Sequence, residues 1–349
     1  MDIALELCDT FFFDYLYSAV LPAQPAPYLL KNGFGNSTIE ALKVASTWQY
    51  SPASKYLSWT PRDAAWTSQL PRDNAYRQFF SLFLIMWLAG ALIYFIIATL
   101  SYVYIFDKTT FKHPKFLQNQ VRMEISQAVH SMPYMSALTA PFFLAEVRGY
   151  SKLYDAPSEA PFPWYNLLQF PLFLLFTDCF VYFIHRGLHH PSIYKTLHKP
   201  HHKWIMPTPY AAIAFHPVDG WAQSIPYHVF PFIFPLQKFA YLALFLFIQI
   251  WTVFIHDGEY VANSPIINGA ACHTMHHLYF NYNYGQYTTL WDRLGGSYRK
   301  PNEELFSRES KMGKKEWERQ CKEMEEKVLE VEGVDDRSYG PVAEERKTK

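Results

Sequence analysis

Charged residues crowd the two ends of this chain and leave long apolar runs in its middle. The longest, "FFSLFLIMWLAGALIYFIIATLSYVYIF", places 28 uncharged residues between Arg77 and Asp107. About 20 suffice to cross a bilayer core, so the segment predicts a transmembrane helix. "AVHSMPYMSALTAPFFLAEV", at 128–147, is a weaker candidate, because its two prolines, histidine and glutamate also fit a buried interfacial helix. Residues 164–184, "WYNLLQFPLFLLFTDCFVYFI", are long enough to span but enclose Asp178. An acid at that depth is costly and faces the protein interior, which marks it as a functional candidate. From His228 to Ile255 the apolar pattern is broken by Pro231, Pro235 and Lys238, as in a helical hairpin or a re-entrant element.

Outside this middle region the pattern changes. Residues 1–76 mix short apolar runs with Pro, Ser and charge, and predict short helices and loops at a membrane surface or in a lumen. Beyond Pro301, Trp317, Cys321, Met324, Val328 and Val331 recur at steps of four and three, one apolar stripe of a helix docked on the protein body or on lipid. The expected fold is all-α, a polytopic membrane protein with a histidine-rich di-metal helical domain at the cytosolic membrane face. Its expected segments are 1–76, transmembrane helices in 77–160, the histidine domain in 161–300 and a charged helix and tail in 301–349.

Composition narrows the function classes. The 31 basic and 31 acidic side chains balance, and no basic run interleaved with aromatics points to a nucleic-acid groove. Cys8, Cys179, Cys272 and Cys321 form no CxxC pair, so neither a disulfide framework nor a zinc knuckle is indicated. The N-terminus carries acids where a secretory signal carries Lys or Arg.

Histidine is the informative residue. Six of 14 fall within His185–His202. Three boxes stand out: "HRGLH" (His185, His189), "HKPHH" (His198, His201, His202) and "HTMHH" (His273, His276, His277). On a helix, positions i, i+3 and i+4 fall within an arc of about 100°, so each box can aim its rings to one side. Pro200 softens that geometry in the second box. His190 points about 140° from His185 and stays outside the set. Eight imidazoles packed without a ligand would bury unsatisfied polar groups, and eight exceed what one ion accepts, so two metal ions are implied. Imidazole alone does not name the metal.

Further candidates surround the boxes. Asp178 precedes His185 by seven residues and shares its helix face, placed to accept the second ring N–H of a ligand. His256, in "IHDGEY", is a ninth ligand candidate. His216, in "FHPVDG", and Asp257 are candidates for supporting the ligands, and Cys272 reads as a small buried residue. For the third box to join the first two, the chain between Lys203 and His273 must cross the bilayer an even number of times. Lys108, Lys112, Lys115 and Arg122, with Arg186, Lys195, Lys199 and Lys203, assign both flanking loops to the cytosol. Asn36, in "NST", then becomes a lumenal glycosylation candidate.

The HxxxH, HxxHH and HxxHH boxes among membrane segments resemble the fatty acid hydroxylase and sterol desaturase superfamily of membrane di-iron oxidoreductases. Within it, "HRGLHH", "LHKPHHKW", "PTPYAAIAFHPVDG", "IHDGEY" and "NGAACHTMHHLYFNYNYGQYTTLWDRLGGSYR" look like the C-5 sterol desaturases, densely from Phe176 to Arg299. The resemblance implies an endoplasmic reticulum enzyme of ergosterol biosynthesis that introduces the 5,6 double bond into a Δ7-sterol. It implies O2 as oxidant, electrons from NAD(P)H through cytochrome b5 and its reductase, and a membrane-lipid setting. The cofactor implied is a pair of iron ions, with zinc as an alternative occupant after purification, held by the eight box histidines. Where some hydroxylase relatives carry a histidine four residues after His256, this chain has Tyr260, which leaves one ligand number open. A C-4 methyl sterol oxidase or a sphingolipid fatty-acid hydroxylase is the nearest alternative. A metal transporter or store is the distant one, since it would string acids and histidines along several spanning helices.

Overall fold

In a computed structural model the chain is mostly helical. Residues 1–24, 38–260, 264–306 and 313–339 are described, and Asn36 lies outside them. Helices α1 (Asp2–Cys8) and α2 (Asp14–Val20) flank a π turn and are followed by α3 (Thr38–Ala45), α4 (Ala75–Tyr104), α5 (Gln120–Val147) and α6 (Tyr165–Leu188). Then come α7 (Lys199–His202), α8 (Pro217–Ile233), α9 (Lys238–Phe254), α10 (Ala270–Tyr279), α11 (Leu290–Leu294) and α12 (Lys314–Val331). Two-residue strands β1 (Leu153–Tyr154) and β2 (Leu236–Gln237) pair in parallel.

Among the described residues, α4 and α6 are long and apolar enough to cross a membrane. Only 22% of the most apolar window of α4 is buried, unlike the core helix of a soluble protein. Leu88, Leu92, Ile96, Leu100 and Val103 form one exposed stripe along it, a surface matched to hydrocarbon rather than water. Helix α6 is two-faced. Leu167, Leu168, Leu175, Phe180 and Phe183 are exposed, while Phe173, Thr177, Asp178, Val181, Tyr182 and His185 are buried. The weaker candidate at 128–147 is the later part of α5. The apolar stretch after His216 forms two helices, α8 and α9, of 17 residues each, about 26 Å long at ~1.5 Å per residue.

Packing divides the chain into two compact units. One holds residues 1–90, 136–163 and 231–238; the other holds 91–135, 164–230 and the described residues from 239 on. Helices α4, α5 and α8 contribute residues to both. In the second unit, Met275, Leu278, Tyr279 and Phe280 pack with Met324 and Val328 of α12 and with Tyr194, Ile205 and Met206. The C-terminal stripe therefore docks on the protein body, each fully buried apolar side chain contributing about 1.5–3 kcal/mol.

Candidate metal centre

Local structure delivers each histidine. The last turn of α6 carries His185, and His189 caps it in a helical conformation. The second box straddles a π turn (Tyr194–His198) and α7. Pro200 sits in the first turn of α7, where its missing N–H costs nothing. The third box lies within α10, every residue of which is buried. His256 follows α9 directly and is buried.

The nine rings form two groups: His185, His189, His198, His202 and His276, and His201, His256, His273 and His277. Within each group, one nitrogen from every ring lies within 4.8 Å of the others. The division follows helical spacing. Each i, i+4 pair (His185 with His189, His198 with His202, His273 with His277) stays together, about 40° apart. The i+3 histidine of each triplet, His201 or His276, joins the other group, so the boxes interlock instead of each serving one ion.

Hydrogen bonding fixes the tautomers of four of the nine rings. His185 Nδ1 meets the Tyr284 carbonyl at 2.9 Å, His276 Nδ1 the Tyr282 carbonyl at 2.7 Å, and His256 Nδ1 the Thr252 carbonyl at 2.7 Å. His198 Nδ1 meets the Asp219 carboxylate at 2.8 Å. These oxygens only accept, so each Nδ1 carries the proton and each Nε2 presents a bare lone pair. Yet Nε2 of His185 lies 3.1 Å from Nε2 of His198, two acceptors face to face. Nε2 of His276 lies 2.9 Å from that of His202, and Nε2 of His256 2.9 Å from that of His273, which is 3.1 Å from that of His277. Bonds of about 2.1 Å to one cation put neighbouring nitrogens about 3.0 Å apart at right angles and about 4.2 Å apart when opposed. The donor set fits a metal ion in each group. Both nitrogens of His189 lack a hydrogen-bond partner among the described residues, as a ring reserved for a ligand would.

Seven of the rings are held neutral. Burial pushes His189, His201, His202, His273, His276 and His277 well below the ordinary histidine pKa, and neighbouring rings push the same way. Burial lowers His256 to about 4. Neutral imidazole is the form that ligates.

Asp178 corrects an expectation. Its carboxylate accepts the backbone N–H groups of Gln286, Tyr287 and Thr288, the nearest at 2.7 Å, and the Thr288 hydroxyl. With four donors from one loop it has no reach left for a ligand ring. Its effect is indirect, because the loop it anchors presents the Tyr282 and Tyr284 carbonyls. Asp292 grips the same loop through the Tyr284 and Gly285 N–H groups, both at 2.8 Å. A Cβ on Gly285 would run into the Thr288 carbonyl. Phe280 (φ 63°, ψ −58°) and Asn283 (φ 56°) have positive φ, a backbone strain that falls within the turn carrying the Tyr282 and Tyr284 carbonyls.

His216 and Asp257 lie outside both groups. His216 Nδ1 accepts the Val218 N–H at 3.3 Å at the start of α8, and Asp257 accepts the Glu259 N–H at 2.8 Å in a turn. Each answers a nearby backbone donor before it can reach a ring. The carboxylate that does meet a ring is Asp219, fully buried and absent from the expected set. Its signal was an acid three residues after His216 in a nearly uncharged run. Tyr260 donates to the Thr274 hydroxyl at 3.1 Å, and the second group has four histidines among the described residues.

A family model for fatty acid hydroxylases matches residues 170–297, the stretch that contains all nine rings. A Delta(7)-sterol 5(6)-desaturase of Aspergillus fumigatus is 65% identical over 97% of both chains. A probable Delta(7)-sterol 5(6)-desaturase of Neurospora crassa is 59% identical over the full length of both. A Delta(7)-sterol 5(6)-desaturase of Candida albicans is 47% identical over 97% of this chain and 99% of its own. No solved structure matches.

Proposed function

Because this chain belongs to the Delta(7)-sterol 5(6)-desaturase family, and is thus an oxidoreductase, we propose that it introduces the C5–C6 double bond into a Δ7-sterol of the ergosterol pathway at a di-iron centre. In the balanced reaction the sterol loses one hydrogen from each of C5 and C6, and O2 is reduced to two waters. Four electrons are needed: two come from the sterol and two from NAD(P)H through cytochrome b5 and its reductase. When bound, the iron pair supplies the oxygen-dependent redox chemistry that unactivated C–H bonds require.

The chain's own residues do the rest. His185, His189, His198, His202 and His276 hold one ion, and His201, His256, His273 and His277 hold the other. The Tyr284, Tyr282 and Thr252 carbonyls and Asp219 keep the Nδ1 protons away from the metals and orient the rings. Asp178 and Asp292 hold the loop that supplies two of those carbonyls. Aromatic rings exclude water: the buried Tyr194 and Tyr284 lie 5.3 and 4.9 Å from His189, and the half-buried Phe215 stacks on His201 at 4.2 Å. Helices α4, α5 and α6 cross the endoplasmic reticulum membrane, α8 and α9 make the even return, and the boxes face the cytosol beside the basic loops.

The observation that carries the metal reading is the confrontation of the Nε2 lone pairs of His185 and His198, whose Nδ1 protons are both taken by oxygens and which a shared cation turns from repulsion into binding. The test is sterol profiling of cells lacking this protein, complemented by wild type or by His201→Ala. The expected result is that the variant accumulates Δ7-sterols without the 5,6 double bond and wild type clears them. Accumulation of 4-methylsterols would instead assign the chain a C-4 oxidase activity.

A further inference from the structure

The C-terminal segment beyond α12 lies outside the family-matched stretch, yet it reaches the second histidine box. Glu332 and Arg337 form a two-pronged ion pair, with Arg337 Nη2 2.8 Å from Glu332 Oε1 and Nη1 2.9 Å from Oε2. Both side chains are buried, at 0% and 1% exposure. Arg337 Nη2 also donates inward to the His202 carbonyl at 2.9 Å, 135 residues away in sequence. Glu332 also accepts the Tyr194 hydroxyl at 2.8 Å and pairs with Lys199 Nζ at 3.2 Å. Tyr194 opens the π turn that carries His198, and its ring lies 5.3 to 6.2 Å from those of His189, His198 and His202.

The ion pair thus contacts the Tyr194–His202 segment at Tyr194, at Lys199 and at His202. That end is where short helix α7 runs out of intrahelical donors, and a guanidinium there satisfies a terminal carbonyl with favourable charge. Burying a charged pair is costly and adds little stability by itself, so its use here is geometric. The planar guanidinium fork fixes two directions at once, which a lysine ammonium does not.

We propose that Glu332 and Arg337 are positioning residues of the metal centre, a C-terminal latch that holds the Tyr194–His202 segment in the register its ligands need. The latch rests on the metal-centre reading, and the test separates the two. Full-length protein in lipid nanodiscs is loaded with ferrous iron. Iron per chain is measured by mass spectrometry, its release to excess ferrous chelator is timed, and amide exchange across 194–204 is followed in parallel. Iron-free wild type would end the metal reading itself.

With wild type loaded, Arg337→Met is expected to release iron at least about fivefold faster and to exchange faster at 194–204, with Arg337→Lys between the two. Glu323→Gln is the control. It loosens the pairing of α12 with Arg299 without touching the box, and it should release iron at the wild-type rate. Should Arg337→Met not fold, Glu332→Gln/Arg337→Met removes both charges together, avoids a lone buried ion, and is expected to show the same acceleration. Wild-type release from these latch variants would overturn the proposal. So would equal acceleration in Glu323→Gln, because the tail would then act only by docking α12.

Discussion

Arg77 and the nine clustered histidines are both buried polar groups, and their neighbours answer them in opposite ways. Arg77 donates to Asp9 at 2.9 Å, to Asp14 at 2.6 Å and to the Leu70 carbonyl at 2.9 Å, while Arg72 joins Asp14 and Thr10 from the other side. Every contact there sets a donor against an acceptor, and although Arg77 Nε makes no hydrogen bond among the described residues, no two like atoms are opposed. Around His185 and His198 each Nδ1 proton already has its oxygen, and the Nε2 atoms left over face each other. Burial alone marks neither cluster as a site. A site is marked by polar atoms whose own hydrogen-bonding leaves them opposed, since only a further species relieves them.

The sharpest way to break this contrast is to disturb both clusters. Arg77→Met leaves Asp9 and Asp14 buried with one fewer counter-charge, and removing one partner of a buried pair costs about 3–5 kcal/mol. Thermal unfolding should show that loss, while iron per folded chain stays at the wild-type value. His276→Ala should do the reverse. Structural zinc binding of about 10–16 kcal/mol spread over four ligands gives roughly 3–4 kcal/mol per ligand, so iron affinity should fall about 100- to 1,000-fold. Chelator competition measures it, and an iron affinity within threefold of wild type would remove His276 from the ligand set. Asp219→Asn keeps an acceptor for His198 but loses the charge behind it. Substitutions of groups that support a ligand commonly cost 10- to 100-fold in affinity or activity, so sterol conversion should drop about that much without loss of fold.

These predictions also show what could be read from the sequence. The nine ligand candidates were legible because i, i+4 spacing is local, and a helix end or a π turn keeps such pairs on one side. Their division between two groups was not, because it depends on which ring of each triplet crosses to meet another box. Asp178 lay on the right face of α6, but its partners come from a loop about 110 residues later, and only the fold decides that the loop reaches the carboxylate before a ring does. The acceptors that do orient His185, His276 and His256 are backbone carbonyls, which have no side-chain signature. The roles of Asp219, Glu332 and Arg337 were hidden for a related reason: an ionisable residue in a turn or a charged tail looks solvated until packing closes over it.

His113 lies between the two extremes and gives the smallest and most discriminating prediction. It is buried, but its ring is complete: Nδ1 accepts the Lys115 N–H at 3.1 Å and Nε2 donates to Gln320 of α12 at 3.2 Å. Burial lowers its pKa to about 4, against about 6.5 unfolded. The unfolded chain therefore binds the proton first, so the stability this ring contributes is fully present above pH 6.5 and is lost as pH falls toward 4. Between pH 7.5 and 5.5 the loss is about 1.4 kcal/mol. A proton arriving at Nδ1 would also face the Lys115 N–H it now accepts. Hydrogen exchange along α12 should accelerate over that interval in wild type and change less in His113→Gln, which cannot titrate. Equal acceleration in both would assign the acid sensitivity to the nine clustered histidines instead, and a ring whose nitrogens are all satisfied would no longer be distinguishable from one whose nitrogens are opposed.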